Sequence, residues 1–434
     1  MPISQVERIG CANHGLFVMN FTIQWLDDQG VWHTSNWNSG NFNWGEYAVS
    51  PPLSSIGVPT NALAVTPYVS AIAGVSNRAT PVVQNANNGR LATYDVDGVT
   101  WQFTVTPLPW ANWARNIVHT MTVDGQYYFA PTGHDALRDI VHQAAAAGAT
   151  LRVSGQRHSQ PPLVTTDNRT APNPQQWLVD LSCYADLGPN GDQRIVLNGD
   201  RVTVNTGVRE DELDTFLTAN NLMLRTVTAG GFFSLGGMTS VDVHGATVDA
   251  PIFAETASEF AIMGADGEVT VINATTPSEG GWAPLQFARV SFGALGIVTS
   301  VTVDVLPRPW ATTLRPGKGQ FTIPDQQTFI AQFKPLLASH DRIESFVNPY
   351  TNNFLALWWD IDGSPPVKTP NQKSTVPTAC VLAGKDEFGA PYTGPTEPVA
   401  ELVLIKAQYS GSTTIASGTI DTGYLAIENF YNNA

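Results

Sequence analysis

Lysine is absent from almost the first three quarters of this chain: in 434 residues, the first is Lys318. Lysine and arginine together number 22 against 37 acidic residues, a formal net charge of −15. Nucleic-acid phosphates require clustered cations, so nucleic acid is excluded as an expected partner, and anionic membrane surfaces are disfavoured on the same ground. Only 14% of residues are charged, against about 25% in typical domains, which suits a polar sheet surface better than a helical bundle. Cysteine is scarce too. Cys11, Cys183 and Cys380 stand far apart, with no C-x-x-C pair and no disulfide framework, as fits a reducing compartment. No run approaches the roughly 20 apolar residues of a membrane span. The opening MPISQVERIG lacks the basic and apolar segments of a signal peptide, so a cytoplasmic location is the default expectation.

Glycine and proline abound, at 37 and 30. They are spread along the chain, a pattern of many turns and short strands. A hydrophobic fraction of 43% is ample for a core. The length predicts two or three domains. Residues 1–110 hold six of the twelve tryptophans and read as strand after strand: Phe17–Trp25, a turn at Asp28-Gln29-Gly30, Val31–Thr34, Ala62–Thr66, Leu91–Val96 and Trp101–Val105. This predicts an antiparallel β-sandwich. Its aromatics Trp37, Trp44 and Tyr47 have two readings, a ligand-binding face or sheet packing, and packing is the plainer one.

After Pro107-Leu108-Pro109 the pattern changes. Asp135 begins a helix with Leu137, Ile140, Val141 and Ala144 on one face, and Gly148 is placed to stop it. A strand over Ala149–Val153 follows. A second strand and helix occupy Arg201–Asn205 and Arg209–Asn220, and a hairpin turns at Asp266-Gly267. Ile297–Val305 reads as β before Pro307-Arg308-Pro309. Beyond it come a helix from Asp325 to about Leu337 that Pro335 threatens to end early, strands at Ile343–Val347 and Phe354–Trp359, a long loop over 364–397 and a strand over Leu402–Ala407.

The most informative string is Arg152-Val153-Ser154-Gly155-Gln156-Arg157-His158-Ser159. It follows a strand that follows an amphipathic helix. A glycine in such a turn lets backbone N–H groups converge on an anion. Alone, G-x-x-H-S is an ordinary surface loop. Two further glycine-rich turns, Ala229–Met238 and Ser291–Thr299, also border strands, and three such turns are what a long dinucleotide needs for close backbone approach. There is no G-x-G-x-x-G and no G-x-x-x-x-G-K-[ST], which disfavours the Rossmann and P-loop routes.

The ordered motifs LRVSGQRHS, VTVNTGVREDELDTFL, SLGGMTSVDVHGA, IMGADGEV and FGALGIVTSVTVDVLP resemble the FAD-binding domain of the vanillyl-alcohol oxidase/p-cresol methylhydroxylase superfamily over roughly residues 127–309. Within it the covalent-flavin alcohol and aldonolactone oxidases and the type II cholesterol oxidases are most similar. The resemblance implies FAD joined covalently to His158, with Ser154, Gly155, Gln156, Arg157 and Ser159 cradling its pyrophosphate. It places Ser234, Gly236 and Gly237 along the same channel, His244 and Gly245 near the ribityl and phosphate groups, and Gly296 and Ile297 against the flavin or adenine. For His244, a buried structural histidine bonded to backbone is an equal reading. Some relatives make a second link through a cysteine about 60 residues downstream. Cys183 is too close to His158 for that, so one link is expected. Phosphate charge would then be met by backbone dipoles in a region without lysine.

The segment Glu344–Thr351 is similar to a cap segment of type II cholesterol oxidases in which the glutamate lines the active site. A glutamate in an apolar cavity would have a raised pKa and accept a hydroxyl proton, while the plainer reading is a strand glutamate facing water. Lys406, in an apolar strand, is a lesser catalytic candidate, and no metal is implied. The expected fold is therefore α+β: a β-sandwich accessory domain over 1–110, a two-lobed FAD-binding domain over 111–309, and an α+β substrate cap over 310–434. The resemblance implies further chain after such a cap, so the cap is expected to be incomplete, with a second chain as one way to complete it. The implied activity is oxidation of an alcohol, in a sugar alcohol, lactone or sterol, by hydride transfer to the flavin with oxygen as acceptor. The rival is a carbohydrate- or membrane-binding protein that uses the sandwich and carries a degenerate flavin fold.

Overall fold

In a computed structural model, residues 3–362 are described except for 113–115, 123–125, 160, 229–230, 232, 247–249, 308–312, 341 and 349–352. The expected loop at 364–397, the strand at Leu402–Ala407 and the candidate Lys406 lie outside the described residues. The fold is mixed α/β, with several sheets and few helices.

Residues up to Pro107 include two four-stranded sheets. In one, Met19–Leu26 lies between Trp32–Asn38 and Ala64–Ala71, with Ser76–Arg78 outside, and every pair is antiparallel. Met19, Phe21 and Ile23 are fully buried while Asn20, Thr22 and Gln24 are not, the period of two that a pleated strand imposes. The other sheet runs Gln102–Pro107, Leu91–Val99, Arg8–Asn13, Tyr47–Val49. Its central pair, Arg8–Asn13 with Leu91–Val99, is parallel, so the wholly antiparallel arrangement expected does not hold. Parallel neighbours need a long crossover, and the entire first sheet supplies it. Met19, Phe21 and Val69 from one sheet and Ile9, Val96 and Phe103 from the other share one core. Of the three aromatics singled out, Tyr47 is buried and Trp37 packs against the core, whereas Trp44 is exposed. Cys11 is a buried free thiol and Cys183 is disulfide-bonded.

The middle of the chain holds two further sheets. Three parallel strands lie in the order Tyr128–Phe129, Gln176–Val179, Thr150–Val153. Helix α1, His134–Ala146, connects the first to the third and buries Leu137, Ile140, Val141 and Ala144, the face that the sequence periodicity marks. Gly148, at φ +62°, turns the chain out of the helix. The larger sheet is antiparallel and places Ile297–Pro307 between Arg201–Asn205 and Ala257–Met263. Helices α2 (Glu210–Ala219) and α3 (Leu235–Ser240) contribute Leu213, Leu217, Leu235 and Met238 to its core. Met263 and Ile297 also join Phe129, Leu137 and Val179 in one cluster, so the two sheets share a core there.

The N-terminal sheets do not stand apart from this region. Arg90 forms an antiparallel bridge with Phe129, the Ala130 amide donates to the Gly89 carbonyl at 3.0 Å, and Tyr47 and Leu91 share a core with Tyr128 and Leu178. Toward the C-terminus, helix α4 (Pro284–Ala288) is followed by helix α5 (Gln326–Ser339) and a three-stranded antiparallel sheet of Thr313–Thr322, Asn353–Asp362 and Arg342–Asn348. Asp325 caps α5 by accepting from the Thr328 amide at 2.7 Å. The helix runs through Pro335 to Ser339, past the expected stop. Pro335 removes an N–H that would bond the Ala331 carbonyl, and Ala331 is exposed, so water can take its place.

Candidate cofactor site

A cavity of about 570 Å³ opens where the carboxyl ends of the parallel strands face the larger sheet. Ligands of open α/β sheets gather at such strand ends, and the volume lies within the range of small-molecule and cofactor sites. One wall is the turn after Thr150–Val153, from Ser154 to Ser159, with Leu181 and Ser182 from the end of the neighbouring strand. Opposite it lie Thr206 and Gly207, then Ser234, Gly236 and Gly237 at the start of α3, and Gly296 and Ile297 where the strand Ile297–Pro307 begins. Eleven of the thirteen cofactor residues expected from the sequence thus line one cavity.

The walls approach too closely for side chains at two positions. A Cβ on Gly155 would stand 2.5 Å from Ser234 Oγ. At Gly296, φ is +133° and a Cβ would fall 2.6 Å from the Met263 carbonyl oxygen, so only glycine fits without strain. Electrostatically, the wall contrasts with the chain as a whole. Arg152 and Arg157 are on it and, among the described residues, no aspartate, glutamate or lysine is. Among the described residues, no backbone carbonyl accepts from the amides of Gly155, Gln156 or Arg157. Two guanidinium groups, a run of N–H donors and several hydroxyls make this wall attractive to an anion.

The turn is held from behind. Trp110 Nε1 donates to Ser154 Oγ at 2.7 Å, and Asn112 Nδ2 donates to the Ser159 carbonyl at 3.0 Å. Arg157 sits at φ +67°, unusual for a side-chain-bearing residue. Its guanidinium donates to the Tyr128 hydroxyl at 3.4 Å and lies 5.8 Å from the Trp110 ring centre. Tyr128 donates in turn to Asp180 Oδ2 at 2.8 Å, and Asp180 accepts from the Ser182 amide at 2.8 Å. Burial, with the carboxylate next, pushes the Tyr128 phenol far above its usual range, so it stays protonated. Trp110, Asn112, Tyr128 and Asp180 carried no signal in the sequence, since each is unremarkable in its own segment.

His158 lies on the cavity wall with its ring edge-on to Phe233, centroids 4.8 Å apart. Desolvation pushes its pKa down to about 4, because burial penalises the charged form. The imidazole is therefore neutral at physiological pH and can act as a nucleophile.

The remaining candidates fall elsewhere. His244 is exposed, its ring nitrogen set against the Gly245 carbonyl at 3.1 Å, and neither residue lines the cavity, although Val243 does. This corrects the reading of His244 as a buried structural histidine: its side chain is exposed, although the neighbouring Val243 lines the cavity. Gly245 packs against the Val227 carbonyl instead. Glu344 lies on the strand Arg342–Asn348, partly exposed, and does not line the cavity. The strand does reach the neighbourhood, for the Ile343 amide donates to the Ala246 carbonyl at 3.0 Å.

Comparison with known proteins agrees with this location. The family described as FAD binding domain matches residues 125–273. The D-arabinono-1,4-lactone oxidase of Debaryomyces hansenii is 24% identical over 274 residues, covering 61% of this chain and 43% of its own length. The Saccharomyces cerevisiae enzyme of the same name is 25% identical, over 54% of this chain and 38% of its own length. The L-gulonolactone oxidase of Scyliorhinus torazame is 27% identical over 198 residues, covering 45% and 40%. The chain thus spans less than half the length of these relatives. Among solved structures, a mutant cholesterol oxidase of Brevibacterium sterolicum aligns with a TM-score of 0.49 at 16% identity, over 74% of this chain and 59% of that one. Residues 125–273 are thus similar to an FAD binding domain and about half of the chain to lactone oxidases, in line with the resemblance to the vanillyl-alcohol oxidase/p-cresol methylhydroxylase superfamily.

Proposed function

We propose that this chain binds FAD in the cavity described above and serves an oxidase acting on the CH–OH group of a small substrate, with a lactone or sugar alcohol as the first choice. The observation that carries the reading is the make-up of the cavity wall: two arginines and unpaired backbone amides, no acidic side chain among the described residues, and glycines where the walls close in. A diphosphate between two aromatic ring systems matches that wall in charge. In this reading Gly155, Gln156 and Arg157 receive the diphosphate through their amides, with Ser154 and Ser159 beside them. Ser234, Gly236 and Gly237 flank it across the gap, and Gly296 and Ile297 face a ring. The names of the lactone oxidase relatives support the substrate class.

His158 is the proposed point of covalent attachment through the flavin 8α carbon. A neutral imidazole retains the lone pair that such a bond needs, and the Phe233 edge limits how the ring can turn. A flavin held there would supply the hydride acceptor for the substrate carbon, with oxygen as the proposed final electron acceptor. The protein's own work is to bind, orient and exclude water. The turn 154–159 fixes the cofactor's position, and the apolar side chains Val141, Ala144, Leu151 and Val298 keep the cavity dry. We further propose that the two N-terminal sheets act as a sandwich-type accessory domain over 1–110, that the flavin domain spans 111–309 in two lobes, and that the cap begins at 310. Glu344 is the proposed acceptor of the substrate hydroxyl proton.

The test is the flavin spectrum of the purified protein after acid precipitation. Colour that stays with the pellet and is abolished by His158→Ala supports covalent attachment. Colour released to the supernatant retains FAD and rejects the bond. A colourless protein that takes up no FAD on reconstitution rejects the reading altogether.

A further inference from the structure

One end of the N-terminal sheets carries a concentration of exposed apolar side chains that the flavin reading leaves unused. Leu16 is 74% exposed and Trp101 71%, and Val18, Ile72, Val75 and Val99 are exposed with them. They come from three separate turns. Those turns are joined to one another: the Leu16 amide donates to the Gly98 carbonyl at 2.9 Å, the Ile72 amide to the Val18 carbonyl at 2.9 Å, and the Val75 amide to the Thr100 carbonyl at 3.2 Å. Gly74 packs so closely on Thr100 that a side chain there would collide with its carbonyl. Between Leu16 and Val18, Phe17 points inward and packs on Phe103, ring centroids 5.0 Å apart. The inward aromatics anchor the turns, and the aliphatic and indole side chains are left projecting from a braced tip.

Single exposed apolar residues are commonplace, but a contiguous group signals an interaction surface. Two features favour a lipid over a protein. The group comprises six side chains at the ends of turns, against the 20–30 residues per side of a stable protein interface. The residues 14–18, 71–76 and 97–102 contain no lysine or arginine, and their histidine, His14, is paired with Asp95 at 2.5 Å. An indole at the apex suits the boundary between headgroups and acyl chains, where an amphipathic ring is most stable. Among the described residues no helix is long and apolar enough to cross a membrane.

We propose that this tip inserts peripherally into an uncharged lipid surface, with Leu16 and Trp101 as its principal anchors. Attachment is driven by apolar burial and not by headgroup charge, because the tip has no free cation to offer. The proposal does not depend on the flavin reading.

The test is co-sedimentation of the full chain with phosphatidylcholine vesicles. Binding is expected to persist at high salt and to gain nothing from added phosphatidylserine. The exposed-site variant Leu16→Ser/Trp101→Ser should lower the partition coefficient by roughly tenfold or more while leaving the circular dichroism and melting temperature unchanged. Trp101→Phe should keep most of the binding and lose the part of the tryptophan fluorescence change that lipid causes. Failure to sediment with vesicles overturns the proposal, as does binding that requires anionic lipid or is abolished by salt. A wild-type dimer that the double variant cannot form, without lipid binding, assigns the tip to a protein interface and also overturns it.

Discussion

The indole nitrogen of Trp110 donates to the hydroxyl oxygen of Ser154 at 2.7 Å, both groups being buried. Trp110 follows the second N-terminal sheet directly, while Ser154 opens the turn that carries His158. The segment leaving the N-terminal sheets therefore braces the wall of the cofactor cavity. Trp110→Phe keeps an aromatic ring and removes the donor together with part of the buried indole. It should lower stability by about 1 kcal/mol and reduce the bound flavin per chain, read from the melting temperature and the ratio of flavin to protein absorbance. Unchanged flavin content with a lowered melting temperature would make the bond purely structural.

Gly155→Ala places a methyl group against Ser234 Oγ, where the free distance is 2.5 Å. Among the described residues the methyl group meets the Ser234 side chain and no backbone, and that hydroxyl can turn to another rotamer, so the cost to stability should be about 1 kcal/mol while flavin occupancy falls because the turned hydroxyl narrows the gap. Ser234→Gly in the same chain removes the collision and should restore much of what is lost. A double-mutant cycle on flavin affinity measures the coupling, and additivity would show that the two residues do not meet in solution.

His158 has a folded-state pKa of about 4, below the unfolded value of about 6.5. The sign follows directly. Between those values the unfolded chain binds the extra proton, so this group's contribution is present above about 6.5 and is lost as the pH falls toward 4. The flavin-free protein should therefore lose stability over that window, and His158→Phe should flatten the slope. Under the proposed attachment, covalent incorporation should stay near its neutral rate down to about pH 5. A rate that halves near pH 6.5 would contradict a neutral buried imidazole.

Leu137 is fully buried in the cluster that joins α1 to the parallel sheet and to Met263 and Ile297 of the larger one. Leu137→Ala should destabilise the flavin-binding region by about 3 kcal/mol. Because Ile297 also lines the cavity, the variant should lose flavin at a lower denaturant concentration than the wild type. Equilibrium unfolding followed by flavin fluorescence and by circular dichroism checks both effects.

Much of the flavin region is legible in the amino-acid sequence. The spacing of Leu137, Ile140, Val141 and Ala144 identifies α1 because a helix returns to the same face every three or four residues, and those are the positions buried. The glycine turns are visible because glycine is the residue that tolerates close backbone approach, and they converge on one cavity. The alternation in Met19–Leu26 is equally plain. The exposure of His244 was not legible, because a motif specifies local chain geometry and not which way a side chain leaves it. Its neighbour Val243 faces the cavity and His244 faces solvent.

The linear order of residues thus decided where helices, strands and tight turns form, since these depend on neighbours within a few positions, and it pointed to a phosphate-bearing cofactor. Only the tertiary structure decided that Arg8–Asn13 runs parallel to Leu91–Val99, that Trp110 and Asp180 support the His158 turn, and that three distant turns assemble an apolar tip. Those relations join residues from about 25 to more than 80 positions apart. They are set by which surfaces bury each other, a choice that the periodicity of any one segment does not contain.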